Sequence, residues 1–226
     1  AGRRLFGIQL TLEAAMPEVD RIFREYASNR KLPGLIWGVV IDGRLAHVDS
    51  VGVRERKGNA PVTPSTVFRI ASMTKSFTAL AVLKLRDEGK LSLEDPVAKW
   101  VPEFAKMELP TRDSPPLRIR QLLSQNSGFP EDNPWGDRQL GITDDELTRW
   151  LRAGIPFSTP PGSRYEYSNY GFALLGRVVA KASGMPYEQY VRSQILSQLK
   201  MSSTTFEFSE VPPDRRAVGY RLRPDG

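Results

Sequence analysis

The sequence predicts an α/β fold of the α+β type, an antiparallel sheet packed against a mainly helical region. Two observations lead there. Leu35 to Ile41 and Arg44 to Val53 are strand-like runs joined by Asp42-Gly43, the residue pair of a tight hairpin turn. Beyond them the chain reads almost entirely as helices broken by Gly- and Pro-containing loops, with Thr204 to Phe208 the best further strand candidate. A lone hairpin is marginal in water, so this one needs further strands or a helical cover.

Taken in order, residues 11–31 carry Leu12, Met16, Val19, Ile22, Phe23 and Tyr26 at helical spacing. Pro17 is expected in the first turn, where a missing N–H is harmless, and Pro33-Gly34 ends the segment. After the hairpin comes a polar loop to Pro64, then a short apolar run from Thr66 to Ala71. A helix follows from about Met73 to Glu88, stopped by Gly89. Residues 91–104 are interrupted by Pro96 and Pro102, a Pro-rich loop runs to Pro116, and Leu117 to Leu123 reads as a short helix. Gly128 to Gly141 is a loop. Thr143 and Glu146 form a capping box for a helix to Ala153. Pro156 to Glu166 is loop, Asn169 to Ala182 is helical before Gly184, and Pro186 opens an amphipathic helix to Leu199. We find no internal repeat and no low-complexity linker, so residues 1–226 are expected to form one domain.

Composition removes several classes of function. With 40% hydrophobic and 26% charged residues the chain is that of a globular protein. No run approaches the roughly 20 apolar residues of a membrane span. The net charge of +6 is scattered without a basic face or a nucleic-acid motif, so it is read as a solvated surface. There is no Cys, which removes thiol nucleophiles, disulfides and Cys-based metal sites; one His, His47, leaves nothing for a zinc site of two or three His. No metal or other cofactor is expected. The chain begins with Ala1 rather than Met, so an upstream segment is expected to have been removed, and an export signal could have been part of it.

A serine hydroxyl is a weak nucleophile until a base takes its proton. His47 lies in an alternating strand, where a His is more often a surface or packing residue, and no Gly-x-Ser-x-Gly elbow occurs. The other common arrangement is Ser-x-x-Lys on a helix, which brings the two side chains to one face. An ammonium drawn out of water gives up its proton more readily, and a helix N-terminus favours negative charge. Three copies occur: Ser28/Lys31, Ser72/Lys75 and Ser197/Lys200. The first sits at a polar helix end before Pro33, and the third at the end of an amphipathic helix, with Lys200 in the last turn where cations are favoured. Only Ser72 follows an apolar strand-like run, Val67 to Ala71, and opens a helix whose next turns hold Phe77, Leu80, Ala81 and Leu83. On local sequence alone, Ser72 reads equally well as a nucleophile or as a simple helix N-cap. Tyr167-Ser168-Asn169 at the start of a later helix adds a phenol, whose pKa a nearby cation would lower, and an amide able to hold both a lysine and a substrate carbonyl.

Phe68-Arg-Ile-Ala-Ser-Met-Thr-Lys75 with Ser76-Phe-Thr-Ala79 resembles the nucleophile segment of the serine β-lactamase and penicillin-binding protein family, in the branch of class C β-lactamases, D-Ala-D-Ala carboxypeptidases and related esterases. Ile119 to Pro130 is similar to that family's loop-bearing helix, and Pro161 to Gly176 to its Tyr-x-Asn segment. The ordered matches cover roughly residues 30–205. The resemblance implies a β-lactamase-like fold, with Ser72 the acylated nucleophile, Lys75 its partner, Tyr167 the general base and Asn169 a positioner of substrate and lysine. Ser124-Gln125-Asn126 is formally the Ser-x-Asn of other branches, but within Gln-Leu-Leu-Ser it is read as structural.

The family closes its site with a strand bearing Lys-Thr-Gly or a variant, which adds a second oxyanion N–H. This chain lacks that motif; Arg152-Ala-Gly154 has the form but ends a helix. The expectation is therefore a β-lactamase-like hydrolase domain lacking its C-terminal strands and completed by a complementary C-terminal fragment. The expected reaction is acyl transfer to a β-lactam, a D-Ala-D-Ala peptide or a small ester, in the periplasm or outside the cell unless the protein remains cytoplasmic. A non-catalytic module on the same fold, binding peptidoglycan or a partner protein, is the alternative.

Overall fold

The computed structural model describes residues 4–5, 8–9, 12–132 and 141–221. Of the predicted Gly128–Gly141 loop, residues 133–140 lie outside this set. The chain divides into two compact units, Ala1–Arg69 with Thr205–Gly226, and Ile70–Thr204.

In the first unit β1 (Arg4–Leu5) pairs antiparallel with β2 (Ile8–Gln9). Helix α1 spans Leu12–Asn29, so Pro17 stands six residues in, beyond the first turn where it was expected. Strands β3 (Gly34–Ile41) and β4 (Arg44–Glu55) form the predicted hairpin. Asp42 and Gly43 both take positive φ (48° and 73°), the backbone of a turn that matches strand twist. A third strand, β5 (Ala60–Pro61), lies in the stretch read as loop and extends the sheet in the order β3-β4-β5. Helix α1 covers this sheet: Phe23 stacks on Trp37 with ring centroids 5.2 Å apart, and Trp37 Nε1 donates to Asp20 Oδ1 at 2.8 Å. Two strand expectations fail here. The run Thr66–Ala71 contributes only a single parallel bridge, Val67 with Arg216, and Thr204–Phe208 is coil that enters a short 3₁₀ turn at Phe208–Glu210.

The second unit is helical: α2 (Thr74–Asp87), α3 (Val97–Trp100), α4 (Ile119–Leu123), α5 (Asp144–Ala153), α6 (Asn169–Ser183) and α7 (Tyr187–Val191). Helix α5 carries both halves of the predicted capping box. Helix α6 ends at Gly184, where φ is 71°. The predicted helix to Leu199 is not continuous: after α7 the chain widens into a π-type turn over Arg192–Leu196, with Ser197 N–H donating to Arg192 O at 2.9 Å.

The core of this unit is the seam between α2 and α6. Ala81, Val82 and Leu85 are fully buried on one side, and Leu174, Leu175, Val178 and Val179 on the other. Leu80, expected to be part of the apolar face, is exposed instead. Helix α4 adds Ile119 and Leu122 below. An aromatic cluster of Phe104, Phe129, Phe157 and Tyr170, with centroids 5.2–6.3 Å apart, ties the loops around residue 129 and residue 157 to the first turn of α6. Two helix starts, those of α2 and α6, are thus held beside one another by a common hydrophobic base.

Replacing Leu174 by Ala removes buried methyl groups from that base and leaves a cavity. It is expected to lower the unfolding free energy by about 2–5 kcal/mol in urea titrations followed by circular dichroism. A cost under about 1 kcal/mol would place the core elsewhere.

Candidate active site

Ser72 is exposed and lies in a 3₁₀ turn, Ala71–Met73, immediately ahead of α2. Met73, not Ser72, is the helix N-cap residue. The N-cap reading of Ser72 therefore gives way. Ala71 holds φ at 48°, a left-handed conformation that costs a non-glycine residue about 1–2 kcal/mol. Thr74 Oγ1 donates to Ala71 O at 2.7 Å across this turn. The strained residue turns the chain so that Ser72 stands at the head of α2 with its side chain clear of the helix.

Lys75 sits in the first turn of α2, half-buried. Its Nζ donates to Asn169 Oδ1 at 2.6 Å and to Tyr167 Oη at 2.7 Å, and more weakly to Ser72 Oγ at 3.4 Å. An ammonium has three donors, and these three oxygens match them. The ammonium also lies 4.6 Å from the Tyr167 ring centroid and 5.5 Å from that of Phe172. Ser72 Oγ lies 2.8 Å from Tyr167 Oη, closing a triangle of hydroxyl, phenol and ammonium. Burial pushes the Tyr167 phenol up, but hydrogen bonds from Lys75 and Ser72 together with the lysine charge outweigh it, so the phenol titrates below the ordinary tyrosine range. The four residues singled out in the sequence are thus brought together within one unit.

The other sequence candidates go elsewhere. Lys31 and Lys200 each close a helix with positive φ (51° and 56°), their N–H groups bonded back to Ser28 O and Ser197 O, and all four side chains are exposed. His47 Nε2 lies 2.7 Å from Asp20 Oδ1, the carboxylate that also receives Trp37, so it is part of the packing of α1 on the sheet. Ser124 Oγ donates to Arg120 O at 2.7 Å and lies 2.9 Å from Asn126 Oδ1, a local helix-end turn. Gly154 is the C-cap of α5. Among the described residues, no group of three or more His, Cys, Asp or Glu could hold a metal ion, and no helix is long and apolar enough to cross a membrane.

The support beneath Tyr167 and Asn169 was not anticipated. Gln125 is buried with φ 57°; its side-chain oxygen accepts from Ser168 N–H and its backbone oxygen from Glu166 N–H, both at 2.8 Å. Gly162 N–H bonds Asn126 O, and Ser158 N–H bonds Gly128 O, again at 2.8 Å. Gly128 has φ 85°, and a Cβ there would lie 2.2 Å from Thr159 O, so only glycine permits the two loops to touch. Asp132 adds three bonds to the residues around Tyr167, described below. Gln125 lies in the Ile119–Pro130 segment and reads as structural in the sequence, but nothing in that motif says what it holds; Asp132, 37 positions from Asn169, carries no periodic or motif signal.

The chain matches the Beta-lactamase family over residues 19–226. It belongs to that family. Its relatives include "Protein flp" of Staphylococcus aureus (strain MW2), 33% identical over 208 residues, a match that covers 91% of this chain and 41% of the relative. Solved structures with the same fold include the octameric penicillin-binding protein homologue from Pyrococcus abyssi (TM-score 0.79, 33% identity, 93% of this chain and 49% of that one) and a class C beta-lactamase (TM-score 0.76, 27% identity, 92% and 55%). The β-lactamase-like fold expected from the sequence is thus shown, while the chain spans less than half the length of that relative.

In this Beta-lactamase-family site the Tyr167 titration reports directly on Lys75. Phenolate absorbance, read as the difference between the protein and its Tyr167→Phe variant, should appear below the usual tyrosine midpoint of about 10. Lys75→Met removes the cation and its hydrogen bond but leaves burial, so the midpoint should move up; an unchanged midpoint would separate the two groups electrostatically.

Proposed function

We propose that this chain carries the nucleophile half of a serine hydrolase that forms an acyl-enzyme on Ser72. The observation that supports it best is the triangle of Ser72 Oγ, Tyr167 Oη and Lys75 Nζ with sides of 2.8, 2.7 and 3.4 Å. A hydroxyl in contact with a phenol whose pKa is depressed has a base within reach of its proton.

In this reading Ser72 Oγ attacks the carbonyl carbon of an ester or amide while Tyr167, as phenolate, takes the serine proton. Lys75 stays an ammonium and holds the phenolate, and Asn169 keeps Lys75 in place through its carbonyl oxygen. The tetrahedral oxyanion is held by backbone N–H groups, that of Ser72 among them, next to the positive end of α2. On collapse Tyr167 passes its proton to the leaving alcohol or amine. Water then enters, loses a proton to Tyr167, attacks the acyl carbon and releases the acid, and the proton returns to Ser72.

The substrate class is a β-lactam, a D-Ala-D-Ala peptide or a small ester, which suits a periplasmic or secreted protein. The similarity to a class C beta-lactamase and to a penicillin-binding protein homologue supports that range without choosing within it. The second oxyanion N–H is assigned to polypeptide outside these 226 residues; the support is that the chain spans 41% of a curated relative.

Ser72→Ala and Lys75→Ala should each reduce kcat on an activated phenyl ester by at least about 10³-fold, and the double variant should be no worse than the poorer single one, because the groups act as a unit. The kcat/KM profile should rise with pH through the depressed Tyr167 titration, since the base is the phenolate. A phosphonate or penicillin probe should add covalent mass to the peptide containing Ser72. A complete protein that binds the probe without covalent mass would instead be a binding module.

A further inference from the structure

Helix α6 begins with more hydrogen-bonding support than a helix start requires. Ser168, its N-cap, accepts from Gly171 N–H at 3.1 Å, which is the ordinary serine cap. Asp132, half-buried in the loop after Phe129, adds a second and independent clamp. Its Oδ1 accepts from Asn169 N–H at 2.6 Å, and its Oδ2 accepts from Ser168 Oγ and from Tyr170 N–H, both at 2.8 Å. Its own N–H reaches Tyr167 O at 3.4 Å. These contacts run from Tyr167 to Tyr170 without a gap. They fall on the main chain that carries Tyr167 Oη and Asn169 Oδ1 to Lys75 Nζ.

The clamp is well anchored. Phe129, three residues earlier, is buried and packs edge-on against Tyr170 with centroids 5.5 Å apart, so the loop and the first turn of α6 are joined by hydrophobic contact as well as by the carboxylate. A carboxylate bonded to N–H groups at a helix N-terminus is also favoured by the helix dipole.

We propose that Asp132 is a positioning residue for acyl transfer, clamping the backbone of Tyr167–Tyr170 so that the phenol and the Asn169 amide converge on Lys75. It touches neither substrate nor the reacting atoms in this role. The proposal rests on the Ser72 acyl-enzyme reading.

The charge of Asp132 has a separate consequence. Among the described residues, two charged side chains act on the Tyr167 phenol: Lys75 from α2, which lowers its pKa, and Asp132 from the loop, which raises it. Removing the charge while keeping the shape therefore shifts the phenol further down.

Two substitutions in the full chain test this. Asp132→Ala deletes the clamp and should lower kcat on an activated phenyl ester by about 10²-fold with KM little changed, the size of effect that misplacement of a reacting group produces. Asp132→Asn keeps the shape and one acceptor oxygen. It should recover part of that loss, and it should move the acid limb of the kcat/KM profile to lower pH, which a purely structural residue would not do. Wild-type kcat in Asp132→Ala overturns the proposal. If Asp132→Ala does not fold, Asp132→Asn decides, and an acid limb that stays in place or moves up overturns it. Ser72→Ala, assayed in parallel, separates the two readings. Turnover surviving in Ser72→Ala removes the acyl-enzyme reading and this proposal with it. An inert Ser72→Ala beside a wild-type-like Asp132→Ala removes Asp132 alone.

Discussion

An ammonium drawn partly out of water needs acceptors, and at Lys75 they are the side-chain oxygens of Tyr167, Asn169 and Ser72. The three come from two helix starts, α2 and α6, so the lysine is the point at which those starts are joined electrostatically. Its charge holds the phenol acidic against the opposing effect of burial. Take away the cation, and the tyrosine is an ordinary half-buried phenol next to an ordinary serine. The rest of the second unit can be understood as what it takes to bring these two helix starts within one hydrogen-bond length.

That requirement is met by two kinds of contact. The α2–α6 seam of Ala81, Val82, Leu85, Leu174 and Val178 sets the distance between the helices through close packing, which deforms little. Polar zippering sets the rotation and direction of the Tyr167 segment: Gln125 and Asp132 bond it from below, and Gly128 lets the loops approach as near as backbone atoms can. Hydrophobic packing is non-directional and so cannot aim a phenol. Hydrogen bonds are directional and can.

Strain is placed where chemistry would use it. Ala71 takes a left-handed backbone immediately before Ser72, and Gln125 does so immediately before Asn126, whose backbone oxygen holds the loop leading to Tyr167. By contrast, the left-handed Lys31 and Lys200 are helix stops at exposed ends. The same Ser-x-x-Lys spacing thus gives one site and two terminators. What separates them is whether the lysine lies inside the first turn of a packed helix or beyond the last turn, where its side chain is exposed.

The sequence by itself determined the hairpin at Asp42-Gly43, the capping box of α5, the extent of α6 and the family, because each is written in local residue chemistry or in ordered motifs. It also nominated Ser72, Lys75, Tyr167 and Asn169, although Ser72 alone could equally have been a cap. Only the tertiary structure decided that Ser72 precedes the helix rather than capping it, that Thr204–Phe208 and Thr66–Ala71 form no strand, and that the helix after Pro186 breaks into a π-type turn. What Gln125 and Asp132 hold was likewise not legible, although Gln125 stands in a motif segment read as structural, since their partners lie 43 and 37 residues away. Propensity and spacing act over a turn or two of chain. A carboxylate that orients a distant backbone segment is specified by the fold, and no pattern within its own loop records it.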